Sequence, residues 1–241
     1  MGYYTTSDNT RVYFQNGMDN HASDAKASSA LLADLLKQPV GAIINDSHGI
    51  GGDVKEYLPN MLSTKDVLNE YTYRKLDAQG QPVLIVMHSA GNEDAHKALE
   101  AGRVYGYQYP NLSFLSVGSP VSADKLQSIM QQTGVNYLGQ VNNWRDPVTN
   151  SKTAGTLALG LTGAGIWAGV QTGVSVAAPI GAGGRPLGVF ATGLIGGAVG
   201  GSSILYGVKN YHPFTQYFQN QQLQKQVLEW QTRQQPTSLK K

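Results

Sequence analysis

Pro82-Val83-Leu84-Ile85-Val86-Met87-His88-Ser89-Ala90-Gly91-Asn92 is the stretch that decides the fold. Val83 to Met87 is an unbroken apolar run rich in β-branched residues, as in a strand covered on both faces. His88 to Gly91 predicts a tight turn. Asn92 to Gly102 predicts a helix with Ala95, Ala98, Leu99 and Gly102 on one face. A buried strand that stops at a serine and turns at once into a helix implies an α/β unit, with Ser89 at the carboxyl edge of the sheet.

A serine on a sharp strand-to-helix turn has the geometry of a nucleophile elbow, where the strained turn lifts the hydroxyl clear of the sheet. The usual pattern is G-x-S-x-G. Gly91 keeps the second glycine, and Met87 stands in place of the first. Two readings of Ser89 therefore stand side by side: a nucleophile, or an ordinary serine near a helix start.

A serine hydroxyl needs a base, usually a histidine oriented by a carboxylate. Two histidines follow Ser89. His96 falls inside the helix that leaves the turn and points away. His212 lies in Lys209-Asn210-Tyr211-His212-Pro213-Phe214, where Pro213 ends any regular element and leaves a loop. For the acid, Val135 to Val141 predicts a strand and Asn142 to Val148 a loop after it, which carries Asp146. An aspartate just past a strand's carboxyl end shares the sheet edge with the serine. Asp124 is the runner-up, at a predicted helix start where a carboxylate also suits the helix dipole.

Four stretches, in order, resemble an α/β-hydrolase of the class 3 lipase kind, and more loosely the lipase effectors that bacteria deliver into competitors. They are Val86 to Gly91 (the elbow), Phe114-Leu115-Ser116-Val117-Gly118-Ser119-Pro120 (a strand end), Val141 to Val148 (the acid loop) and Tyr211-His212-Pro213-Phe214 with Tyr217 (the histidine loop). The match covers roughly residues 10–150 and 209–230. An oxyanion hole would take one donor from the backbone N–H of Ala90. The second would come from the loop Asn16-Gly17-Met18-Asp19-Asn20 after the strand Arg11 to Gln15, at Gly17 or Met18. The resemblance supports that loop, because an HG or NG pair commonly occupies it in lipase-like proteins. The plainer reading is a strand-to-helix turn with Asn20 or Ser23 as N-cap. No cofactor and no metal are implied.

Composition narrows the classes. The 241 residues suit one substantial domain with an insert. Net charge is +2 with no long basic run, so nothing suggests a nucleic-acid partner. No cysteine is present, which excludes disulfides, a thiol nucleophile and Cys-ligated zinc. The segment Tyr3-Tyr4-Thr5-Thr6-Ser7-Asp8 lacks a secretory signal pattern, so export would use a route that reads no such peptide.

Alternating strands and helices predict an α/β fold, an α/β-hydrolase-like, mostly parallel sheet flanked by helices. The predicted elements are a strand at Arg11–Gln15, an Ala-rich helix from Ser23 to Lys37, a strand at 40–45, helices near Val54–Leu62 and Lys65–Leu76, the elbow strand and its helix, a strand at Leu112–Val117, a helix near Ala123–Gln132 and a strand at Val135–Val141. The glycine-rich loop 46–52 lacks the lysine and spacing of a P-loop and reads as a site rim. The hydrolase core would be 1–150 and 209–233. From Thr153 to Gly184, and again from Leu187 to Val208, no residue is charged. This glycine- and alanine-rich insert, 153–208, falls between acid and histidine. Each half reaches the ~20 residues of a membrane-spanning helix. It reads as a lid, a membrane hairpin or a pair of buried core helices, with a membrane-associating element favoured over core helices because glycine costs about 1 kcal/mol per residue in a soluble helix. Phe214 to Arg233 predicts an amphipathic helix on the sheet, and 234–241 a disordered tail.

Together these readings lead to an expected serine lipase or phospholipase. Its partners would be an acyl-ester lipid, a membrane surface and an immunity protein. It would act at the membrane or periplasm of a target cell. The rival is a non-enzymatic membrane-permeabilising protein that uses the insert on an inert frame, and Met87 is its best support.

Overall fold

The computed structural model describes residues 10–16, 22–44, 64–143, 145–146, 149 and 213–234. Among them five strands form one sheet: β1 Val12–Gln15, β2 Val40–Ile43, β3 Val83–His88, β4 Leu112–Val117 and β5 Asn136–Val141. The order is β2-β1-β3-β4-β5, and every pairing is parallel. The helices are α1 Ala22–Leu36, α2 Thr64–Asp77, α3 Gly91–Val104, α4 Ala123–Gln132, α5 Phe214–Phe218 and α6 Gln221–Gln234. The expected α/β alternation is present.

Two apolar layers explain why β3 reads as a continuous hydrophobic run. Val83, Ile85 and Met87 join Tyr13 and Phe114 beneath Tyr73 and Leu76 of α2, Leu99 of α3 and Met130 of α4. Leu84 and Val86 join Phe14 and Leu115 beneath Leu32 and Leu36 of α1, Phe214 of α5 and Leu223 and Trp230 of α6. With helices on both faces, neither set of alternate side chains can be polar. Met87 is fully buried in the first layer, with Gln15 and the small Ser116 as its register neighbours.

The carboxyl-terminal helix differs from expectation. It breaks at Gln219–Asn220 into α5 and α6. Asn220 Oδ1 accepts from the Gln222 N–H at 2.8 Å, which caps a new helix start. Gln234 closes α6 and so is not part of a tail. The turn after β3 is also tighter than expected, because His88 belongs to the strand and only Ser89 and Ala90 turn. At β5 the ladder shifts register between Phe114 and Ser116 of β4. Gly139 sits there at φ +110, a conformation open to glycine.

Strand β1 starts both halves of the sheet. Its helix α1 leads to β2 on one side, and β3 lies on the other, reached by α2 across the opposite face. Parallel α/β sheets bind ligands in the crevice outside the carboxyl ends of strands where the order reverses. Here that crevice lies between the ends of β1 and β3, and Ser89 is the first residue past β3.

Candidate active site

Ser89 is fully buried and has φ +56. Among the described residues only Lys37 shares a positive φ without being glycine. Lys37 follows the last residue of α1, where left-handed caps are common. Ser89 follows a strand, where nothing requires such a conformation except the immediate turn into α3. A non-glycine residue in this region costs on the order of 1–3 kcal/mol and persists only where its surroundings enforce it.

The enforcing contacts are specific. The Ser89 N–H donates to Val117 O at 3.1 Å. Ser89 O accepts from the Asn92 N–H at 3.0 Å and from Asn92 Nδ2 at 2.9 Å. Asn92 Nδ2 also reaches Val117 O at 3.2 Å. Gly91 makes room for the turn. A Cβ there would meet Asn16 O at 2.6 Å and Gln15 O at 3.0 Å. The end of β1 thus presses directly on the start of α3, and glycine is required by close approach. Gly91→Ala is expected to lower stability by about 1–3 kcal/mol, the range for overpacking against groups that cannot move aside. Urea unfolding checks this, and an unchanged midpoint would mean that the β1 end yields freely.

Ala90, the expected oxyanion donor, is buried and directly precedes α3. Its backbone at φ −58 and ψ −21 is already helical, so the serine alone absorbs the turn. Gly17 and Met18, the expected second donors, lie outside the described residues, as does Asn20; Ser23, considered as an N-cap, instead falls inside α1 as its second residue. Asn16, the residue before them, is buried against Gly91.

A staircase of hydrogen bonds leads from the elbow to the acid loop. Gly118 N–H donates to Val141 O at 3.0 Å, and Ser119 N–H to Asn142 Oδ1 at 3.4 Å. Asp146 follows, fully buried. Asn143 shapes its turn: Asn143 Oδ1 accepts from the Arg145 N–H at 3.0 Å, and Asn143 O from the Asp146 N–H at 2.9 Å. Thr149 Oγ1 donates to Asn143 O at 2.9 Å and closes the loop.

The residue that joins the two halves is Tyr217 on α5. Its hydroxyl donates a hydrogen bond to Asp146 Oδ2. Burial, then the charge of Asp146, push the phenol well above its ordinary pKa, so the proton stays on Tyr217. Its ring packs against Gly118, where a Cβ would meet the ring at 3.0 Å, and lies 5.8 Å from the His88 ring. Gly118 itself has φ +56. Phe214 completes the contact, 5.7 Å from His88 and 4.6 Å from Phe14. Sequence reasoning placed Tyr217 in the histidine loop but gave it no partner. A tyrosine five residues past the candidate base was the available signal.

His212 lies outside the described residues, as do the loop 46–52, the helix expected at 54–62, the insert 153–208 and residues 235–241. His96 is buried within α3, with Nδ1 3.6 Å from Glu100 Oε2. Burial, then Lys125, lower its pKa and favour the neutral ring. Asp124 is exposed in the first turn of α4, consistent with its helix-dipole reading. Among the described residues no helix is long and apolar enough to cross a membrane, and no group of acidic or histidine side chains is arranged to hold a metal.

No protein-family model and no curated protein matches this chain. Fold and site together describe a parallel α/β sheet with a strained serine turn at its reversal point and a buried, tyrosine-bonded aspartate on the same edge.

Proposed function

We propose that this chain is a serine carboxylic ester hydrolase of the α/β-hydrolase kind, acting on lipids as a lipase or phospholipase. The observation that carries the reading is the left-handed backbone of Ser89 at the carboxyl end of β3, over the start of α3. That geometry exists with Met87 in place, so the missing glycine does not argue for an inert frame.

Ser89 Oγ attacks the ester carbonyl while His212 takes its proton. His212 then gives that proton to the departing alcohol. Asp146 orients the imidazole and offsets its charge. The tetrahedral oxyanion is bound by the backbone N–H of Ala90 and that of Gly17 or Met18. Water, deprotonated by His212, releases the acid and restores Ser89. His212 is supported by Phe214, two residues on in sequence, which packs against the residue before the nucleophile. Asp146 is supported by its burial and by Tyr217, which holds one carboxylate oxygen. The lipid substrate rests on the uncharged insert between acid and base. A role as a delivered antibacterial effector, blocked by an immunity protein, rests on resemblance alone.

The test is fatty-acid release by the full chain from mixed phospholipid vesicles, beside hydrolysis of a short-chain soluble ester. Release from vesicles well above the soluble rate is expected. Turnover of the soluble ester alone would make this an esterase of another substrate class. Vesicle leakage without fatty acid would favour the permeabilising reading.

A further inference from the structure

We propose that Asn92 is a positioning residue for the nucleophile, a side-chain clamp that ties the elbow to β4 and holds Ser89 in its strained conformation. The inference rests on the reading of Ser89 as the nucleophile.

Asn92 occupies the second position of α3 and is fully buried. Its amide nitrogen has two hydrogens and spends both on carbonyls, Ser89 O at 2.9 Å and Val117 O at 3.2 Å. One acceptor belongs to the nucleophile itself. The other ends β4 and already receives the Ser89 N–H. The side chain thus closes a ring through Ser89, Val117 and the first turn of α3. Rotation of Ser89 toward ordinary φ values would move its carbonyl and break the ring.

The hydrogen-bond bookkeeping separates this role from plain stabilisation. Both carbonyls keep a second donor if the side chain is lost: Ser89 O retains the Asn92 N–H, and Val117 O retains the Ser89 N–H. Meanwhile, among the described residues, Asn92 Oδ1 is buried without a hydrogen-bond partner. An unpaired buried acceptor opposes folding. Deleting the side chain therefore orphans no backbone group and removes one existing orphan. A side chain that gives the fold so little, yet grips the residue that must be aimed, is placed for orientation. Displacement of a reacting group by about 1 Å can cost on the order of a hundredfold in rate.

The experiment measures labelling of Ser89 by a fluorophosphonate in the full chain, for wild type, Ser89→Ala, Asn92→Ala and Asn92→Ser, with urea unfolding and the kcat and KM of a soluble ester. Wild type should label and Ser89→Ala should not. Asn92→Ala should label about a hundredfold more slowly, with kcat reduced, KM unchanged and an unfolding midpoint near that of wild type. Asn92→Ser, whose hydroxyl restores one donor, should recover part of the rate. If both Asn92 variants label at the wild-type rate, the clamp is overturned while the nucleophile stands. A rate loss that only tracks loss of folded protein also overturns it, because Asn92 is then structural. If wild type labels no faster than Ser89→Ala, the nucleophile reading fails and the clamp with it.

Discussion

Replacing Ser89 with alanine is expected to abolish ester hydrolysis, with a loss on the order of a millionfold in turnover, the scale seen when a hydrolase loses its nucleophile. Replacing it with glycine should do the same to activity while raising stability. Ser89 sits at φ +56, where alanine pays the same steric cost as serine and glycine pays almost none. Ser89→Gly should therefore stabilise the fold by up to about 1 kcal/mol, after subtraction of the extra freedom glycine brings to the unfolded chain. Ser89→Ala should leave stability close to wild type. Urea midpoints for the three proteins, set beside fatty-acid release, check both halves. An inactive but stabilised glycine variant marks a residue held under strain for what its hydroxyl does. A glycine variant no more stable than the alanine variant would mean that the turn stores little strain. Undiminished release from both variants would remove Ser89 from the chemistry.

The part of the site legible in sequence is the part built from near neighbours. β3 announces itself because both faces are covered, so that Val83 to Met87 had no alternation to disguise it. The turn and α3 follow within a few residues, and Gly91 signals close approach without naming Asn16 and Gln15 as the groups approached. β4 and α4 were legible to the residue, bounded by Asn111 and Ser122. What escaped depends on distance along the chain. The Tyr217–Asp146 bond spans 71 positions, and no periodicity encodes it. The break between α5 and α6 turns on one capping asparagine in a glutamine-rich stretch whose apolar residues still fit helical spacing. Asn92 reads as a helix N-terminal residue, and its side-chain bond to Val117, 25 positions away, appears only once β3 and β4 are paired. Met87 stands where the motif has its first glycine. Glycine at that position is a matter of local room, and the register neighbour on β4 is the small Ser116, a pairing that a motif does not carry.

Asp146→Asn is expected to lower kcat about 10⁴-fold with little change in KM, because the amide cannot hold the base in the required tautomer or offset its positive charge. Stability should change little, since the amide oxygen can still accept from Tyr217. Tyr217→Phe acts on the same bond from the other side. The ring stays on Gly118 and beside His88, but Asp146 loses a charge-assisted donor inside the fold. That should cost about 2 kcal/mol of stability and roughly ten- to a hundredfold in kcat, as a carboxylate free to turn orients the imidazole less well. Their combination is the sharper measurement. If Tyr217 acts through Asp146, it has nothing left to position once the carboxylate is gone. The double variant should then be no slower than Asp146→Asn alone, a strong departure from additivity. Losses that multiply would mean that Tyr217 serves the reaction by a separate route, through His88 or by docking the segment that follows His212. Full activity in Asp146→Asn would take Asp146 out of the triad and return attention to Asp124. The double-variant cycle therefore asks whether the bond that joins α5 to the acid loop belongs to the chemistry or only to the packing of the carboxyl-terminal helices on the sheet.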